Sequence, residues 1–165
     1  MTAARLPLLA AALLVAGGRL AAQEAPTLRV TFPGGEAALS AADIAALPQD
    51  TSRARFHDGP EVTFVGPELL AVLRLAGARV DTVRGPALRQ YVQVVASDGY
   101  RVVFSLGELA PGLGDTRVML VQAEDGQALD PKYGPWRLWV PGDAHPSRSA
   151  RQVVALDLVE APSPH

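Results

Sequence analysis

The segment YVQVVASDGYRVVF, residues 91–104, predicts a β-hairpin and places this chain among strand-rich proteins. Both arms are runs of β-branched and aromatic residues, which favour strands. Between them lies Ser97-Asp98-Gly99. Glycine adopts the positive φ that a tight hairpin turn requires, and an aspartate before it shapes such turns by bonding its own backbone. An antiparallel strand pair is therefore expected near the middle of the chain.

Short elements on both sides of this hairpin extend the same pattern. Ser40 and Asp43 are spaced as a capping box, which predicts a short helix ending at Pro48. Residues 67–77 predict a longer helix, with proline in the first turn and Gly77 as its C-terminal cap. Further strands are predicted at residues 27–32, 53–57, 61–65, 116–122, 136–140 and 152–159. This order predicts an α+β fold, with a mixed, mostly antiparallel, sandwich-like sheet and short peripheral helices.

Composition limits the domain count and several classes of function. The 165 residues suit a single domain, and 48% hydrophobic with 19% charged residues is too apolar for a disordered chain. A formal net charge of −2 supplies no general positive field for nucleic acid. There is no cysteine, which excludes disulfides, thiolate metal ligands and cysteine nucleophiles.

Residues 1–22 resemble a secretory signal peptide. Arg5 precedes an apolar run, and small residues at 21–22 offer a cleavage site before Gln23. Arg19 interrupts the run before the roughly 20 apolar residues that a membrane span requires. We therefore expect a single mature domain, residues 23–165, that is periplasmic or secreted and has no stable membrane span. Cleavage would remove two of the 15 basic residues, Arg5 and Arg19, and none of the 17 acidic residues. The formal net charge of the mature domain is therefore −4.

The usual catalytic patterns are weak in this sequence. There are three histidines, no nucleophile elbow, and no glycine-rich phosphate loop after a strand. Asp143 and His145 lie close together, but pairs of this kind are more often solvated loop residues than metal ligands. No metal ligand is predicted, and the sequence leaves open whether the domain is an enzyme.

Residues 132–151, KYGPWRLWVPGDAHPSRSAR, form the most informative stretch. Asp143 is their one acid, against the four basic residues Lys132, Arg137, Arg148 and Arg151. Along the predicted strand, Arg137 shares a face with Trp139. Such an array can bind a phosphate-like anion, because guanidinium groups form paired hydrogen bonds with oxyanions. The alternative is that the four residues are surface charges flanking a core strand.

With these segments in place, the chain resembles the oxidoreductase molybdopterin-binding domain, the fold of the sulfite-oxidase superfamily, in its short exported members. The resemblance runs from about residue 27 to residue 159. It rests on three segments in order: residues 64–77 (FVGPELLAVLRLAG), 96–109 (ASDGYRVVFSLGEL) and 134–143 (GPWRLWVPGD).

The resemblance implies a pterin cofactor and a set of residues to hold it. Arg137 falls on the arginine that binds the pterin phosphate in that family. Lys132 falls near a position where members of the family have a histidine. Arg148 and Arg151 fall near later basic positions, and the Ser97-Asp98 turn is the remaining predicted cofactor contact.

The same resemblance implies a cysteine thiolate on molybdenum, and this chain has no cysteine to supply one. Aliphatic side chains do not bind molybdenum. Two hypotheses follow. One is an oxidoreductase-like domain that binds molybdopterin or another phosphorylated anion, with a redox or exported protein partner. The other is a non-catalytic ligand- or partner-binding module that kept the fold and lost the metal centre.

Overall fold

Strands are the main regular element of this structure, a computed structural model that describes residues 25–56 and 59–162. The expected signal peptide, residues 1–22, lies outside the described residues, so export stays a prediction. The strands are β1 Thr27–Phe32, β2 Gly35–Ser40, β3 Asp50–Arg55, β4 Glu61–Gly66, β5 Gln90–Ala96, β6 Arg101–Ser105, β7 Met119–Val121, β8 Ala123–Glu124, β9 Gln127–Ala128, β10 Arg137–Trp139 and β11 Val153–Glu160.

These strands form three sheets in the described part of the chain. The largest has the order β2-β1-β11-β5-β6 and is mixed, because β1 and β11 run parallel while its other neighbours are antiparallel. A four-stranded sheet has the order β3-β4-β8-β9, and β10 pairs with β7 alone. The predicted α+β class, with mixed and mainly antiparallel sheets, is confirmed.

The helices are short, and residues at or next to their ends account for where they begin and end. They are α1 Ala41–Ala45, α2 Leu69–Ala76 and α3 Leu106–Leu109, with 3-10 turns at Gly85–Arg89 and Pro146–Arg148. The predicted capping box is present, since the backbone N–H of Asp43 donates to Ser40 Oγ and the Ser40 N–H donates to the Asp43 carboxylate. Gly77 ends α2 in the left-handed region at φ 100°, as predicted. No helix within the described ranges is long and apolar enough to span a membrane.

The hairpin of β5 and β6 positions one end of the candidate site. Val95 pairs with Arg101, and the turn between the strands contains Gly99 at φ 86°. Asp98 Oδ1 accepts a hydrogen bond from the Tyr100 backbone N–H at 2.9 Å, so the aspartate stabilises the turn as predicted. Because β5 also pairs with β11, this turn lies beside the residues that precede β11.

Strand β10 separates two hydrophobic clusters. Trp136, Leu138 and Val140 belong to the main core, which includes α2 and the inner face of the large sheet. Trp139 belongs to a smaller cluster with Phe64. The predicted alternation of faces along residues 136–140 is confirmed. Both faces of β10 are nevertheless buried, so Arg137 projects toward the second cluster rather than into solvent.

Candidate functional site

The guanidinium of Arg137 lies inside a cage of aromatic rings. Its Cζ atom is 4.9 Å from the ring centre of Phe64, 5.5 Å from Phe56 and Tyr133, and 5.8 Å from Trp139. Arg137 and Trp139 are two residues apart on β10, so the alternation of the strand places them on one face. Only 6% of Arg137 is exposed. The alternative that this residue is a surface charge is wrong.

The buried Arg137 charge has no anionic partner in the described part of the chain. Its Nε atom is buried without a hydrogen-bond partner, and no carboxylate of the described residues lies within ion-pair distance. Burial lowers the pKa of the guanidinium, and repulsion from Arg151 lowers that pKa further, while Glu124 opposes both effects. Aromatic faces attract a cation but do not replace a hydrogen-bonding anion. Arg137 is therefore a buried cation whose charge is incompletely compensated.

Two more cations meet Arg137 at the ring of Tyr133. The Cζ atom of Arg151 is 4.7 Å from the ring centre, and Lys132 Nζ is 4.9 Å from it. We call Lys132, Arg137 and Arg151 the basic cluster. Lys132 is partly neutralised by Asp130, whose carboxylate lies 3.4 Å from Nζ and raises the pKa of the lysine. Arg151 is exposed and has no ion pair among the described residues. The structure thus brings together three of the four predicted basic residues.

A cavity of about 210 Å³ adjoins this cluster and is called the turn cavity here. It lies between the β5–β6 turn and the segment before β11, and its polar wall consists of Asp98, Tyr100, Ser147, Ser149 and Arg151. Ser149 is 7% exposed, and its hydroxyl is buried without a hydrogen-bond partner. A buried hydroxyl without a partner is uncommon in folded proteins, and it often marks a position completed by a ligand or water. Arg151 belongs to both the turn cavity and the basic cluster.

Gln152 connects the elements that carry these residues. Its backbone N–H donates to the Tyr133 carbonyl at 2.9 Å, and its Nε2 donates to the Pro131 carbonyl at 3.0 Å. On the other side, the backbone N–H and the hydroxyl of Ser97 donate to the carbonyl and to Oε1 of Gln152. Gln152 has φ 47°, a region that non-glycine residues occupy rarely and often near functional sites. The Ser97 hydroxyl already donates to the Gln152 side chain, so Ser97 supports the site indirectly, through Gln152.

Arg148 is held outside the basic cluster by two carboxylates. Its Nε and Nη2 donate to Asp143 at 2.9 and 2.6 Å, and its Nη1 donates to Glu108 at 2.7 Å. These hydrogen bonds, first to Asp143 and then to Glu108, raise the pKa of the arginine. The guanidinium also stacks over Phe104 at 4.8 Å. The structure therefore places Arg148 as an anchor between α3 and the loop after β10, with its hydrogen-bonding capacity largely used.

Three residues of this region were not singled out from the sequence: Tyr133, Ser149 and Gln152. Tyr133 and Ser149 lie inside the basic stretch, and their position between charged residues was the available signal. Gln152 gave no such signal, because its backbone conformation depends on the irregular pairing at the start of β11.

The site suits only one end of the cofactor that the resemblance implies. Arg137, Arg151 and the free Ser149 hydroxyl suit a phosphate, since they offer charge and hydrogen-bond donors. The turn cavity is smaller than the roughly 300–1,000 Å³ usual for cofactor sites. The chain contains no thiol, and within residues 25–56 and 59–162 no three histidine or carboxylate side chains gather as metal ligands would. The residues present suit the phosphate end of such a cofactor and not a thiolate-bound metal.

Comparison with known proteins shows a relation at the level of fold. No family model matches the sequence, and no curated protein is significantly similar. Among solved structures, the sulfane dehydrogenase SoxCD from Paracoccus pantotrophus is similar with a TM-score of 0.61 at 18% identity. The match covers 81% of this chain and 38% of that chain, so this chain spans well under half the length of its structural neighbour. The comparison shows that this chain shares its strand-rich α+β fold with the matched part of that sulfane dehydrogenase.

Proposed function

We propose that this domain binds a small phosphorylated anion between the basic cluster and the turn cavity. The observation that carries the proposal is the charge of Arg137, which is 6% exposed, lacks a partner at Nε and is repelled by Arg151. An anion between the two guanidinium groups removes their repulsion and supplies the missing acceptor. Ser149 then donates its free hydroxyl to the same group.

The proposal assigns distinct roles to the predicted residues. Arg151 is exposed and meets the ligand first, Arg137 holds the anion from the buried side, and Lys132 adds a weaker, partly neutralised charge. Asp98 belongs to the cavity wall, whereas Ser97 acts through Gln152. Arg148 holds the loop that carries Ser149.

Calorimetric titration of the folded domain with inorganic phosphate at low ionic strength tests this proposal. Arg151→Gln is expected to weaken phosphate binding about tenfold to a hundredfold, the range for a lost charge-assisted hydrogen bond. Arg101→Gln is the matched control, because the Arg101 side chain is exposed on β6 and makes no hydrogen bond or ion pair among the described residues. Failure of the folded protein to bind phosphate, or equal affinity in both variants, would overturn the proposal.

Molybdopterin is a second candidate, because this cofactor also ends in a phosphate. The fold shared with a sulfane dehydrogenase supports it, as does the place of Arg137 in the resembling segment. When bound, the group supplies redox chemistry that side chains lack, and this chain would hold its phosphate through Arg137, Arg151 and Ser149. Pterin and molybdenum analysis of protein purified from its native compartment separates the candidates: released pterin favours the cofactor, and phosphate binding without pterin favours the small anion.

We propose further that the domain acts outside the cytoplasm as a binding module. The support is the signal-like segment 1–22 and a chain without thiols to oxidise. N-terminal sequencing of the native protein tests this, with Gln23 expected as the first residue. If no small anion binds, an acidic surface on an exported or redox partner protein becomes the alternative occupant of the basic cluster.

A further inference from the structure

The turn cavity contains two opposite charges that do not pair with each other. Asp98 and Arg151 both line it, yet no ion pair joins them. One carboxylate oxygen of Asp98 accepts the Tyr100 backbone N–H, and the other has no partner within the described ranges. Arg151 stacks on Tyr133 and likewise lacks an acidic partner there. The wall of one cavity of about 210 Å³ thus contains a cation and an anion, neither of which forms an ion pair among the described residues.

A third group in the same wall, the Ser149 hydroxyl, has no hydrogen-bond partner. Ser149 is more than nine-tenths buried, and its hydroxyl makes no hydrogen bond. Leaving a buried hydroxyl unpaired costs free energy, so this side chain is an independent sign that the cavity receives a polar group.

Inorganic phosphate alone does not complement all three groups. The carboxylate of Asp98 repels a bare polyanion and attracts a cation, while Arg151 does the reverse. We infer that the natural ligand is a small zwitterion, with its phosphate at Arg151 and Ser149 and an ammonium group at Asp98. This inference rests on the proposed function and adds the class of ligand, a phosphorylated amine.

Two phosphate esters of equal length provide the test: propyl phosphate and 2-aminoethyl phosphate, titrated into the folded domain. The wild-type protein is expected to bind the amino ester roughly three- to tenfold more tightly, a modest factor because Asp98 is solvent-exposed. In Asp98→Asn this preference disappears, because the amide Oδ1 still accepts the Tyr100 N–H while the free oxygen becomes an N–H₂ donor. Asp115→Asn is the matched control, since the Asp115 side chain is exposed, makes no hydrogen bond or ion pair in the described part of the chain, and lines a different cavity.

The outcomes separate this inference from the proposed function. If both esters bind equally, or if the preference survives in Asp98→Asn, the zwitterion is wrong while anion binding stands. If neither ester binds, or if Arg151→Gln leaves both affinities unchanged, the proposed function and this inference fail together.

Discussion

Arg137 and Arg151 direct their guanidinium groups at the same aromatic ring. Their Cζ atoms lie 5.5 and 4.7 Å from the ring centre of Tyr133. Arg137 comes from β10 and is buried, whereas Arg151 comes from the segment before β11 and is exposed. Two like charges held this close weaken the ligand-free fold, and an anion that joins them recovers that free energy. Stability and binding are therefore expected to change in opposite directions when this pair is altered.

Replacing Arg137 by methionine tests this opposition. The ligand-free variant is expected to gain about 1–4 kcal/mol in the free energy of unfolding, because an uncompensated buried charge becomes an apolar side chain of similar length. Phosphate at one hundred times its wild-type Kd is expected to stabilise the wild type by about 2.7 kcal/mol and the variant by less than half of that, because Arg151 and Ser149 remain. Urea unfolding with and without phosphate measures both effects. A destabilised variant would mean that the four aromatic contacts outweigh the cost of the buried charge.

Arg148→Gln tests the role of the arginine that lies outside the cluster. The free energy of unfolding is expected to fall by about 1.5–3 kcal/mol, because the Asp143 and Glu108 carboxylates lose charge-assisted hydrogen bonds. Since the guanidinium already bonds two acids, the phosphate Kd of the folded variant is expected to change by less than about threefold. A tenfold weaker Kd with an unchanged urea midpoint would show that Arg148 binds the ligand directly.

Gln152→Ala tests whether this residue positions the site. The variant loses the side-chain hydrogen bonds to the Ser97 hydroxyl and the Pro131 carbonyl, so we expect a loss of about 1–3 kcal/mol in stability. Phosphate affinity is expected to fall in the same variant, and Gln152→Asn should restore part of the stability because asparagine tolerates positive φ. Gln93→Ala is the control, as Gln93 is half-buried on β5 with no side-chain hydrogen bond among the described residues. Unchanged phosphate affinity in Gln152→Ala would show that Gln152 does not position the binding site.

The capping box of α1 predicts a pH dependence that is independent of the ligand. Hydrogen bonds from the side chain and backbone of Ser40 hold the pKa of Asp43 below its ordinary value. A depressed carboxylate pKa stabilises the fold above the unfolded value of about 3.9, and this stabilisation is lost as the pH falls through the folded pKa. We therefore expect Asp43→Ala to lower the urea midpoint at pH 7 and to have no effect below the folded pKa. NMR titration of the Asp43 carboxyl checks the shift, which should disappear in Ser40→Ala.

Local signals predicted much of the fold because their causes are local. The capping box, the Asp98-Gly99 turn and the end of α2 at Gly77 each depend on residues within a few positions. Strand β2, Gly35–Ser40, was not predicted, since its sequence GEAALS has little strand propensity. It forms because β1 offers it an antiparallel partner over its whole length. The strand expected at residues 116–122 covers only Met119–Val121 in the structure, because only these three residues pair with β10.

The sequence by itself determined the alternation of faces on β10, the absence of a thiol for a metal and the concentration of basic residues in positions 132–151. Only the tertiary structure decided that Arg137 is buried among aromatic rings, that Arg148 pairs with Glu108 forty residues away, and that Gln152 links Ser97 to Tyr133. The physical reason is that spacing along a strand sets the direction of a side chain. Its burial and its charge partners depend on segments that are distant in sequence and become neighbours only when the sheets assemble.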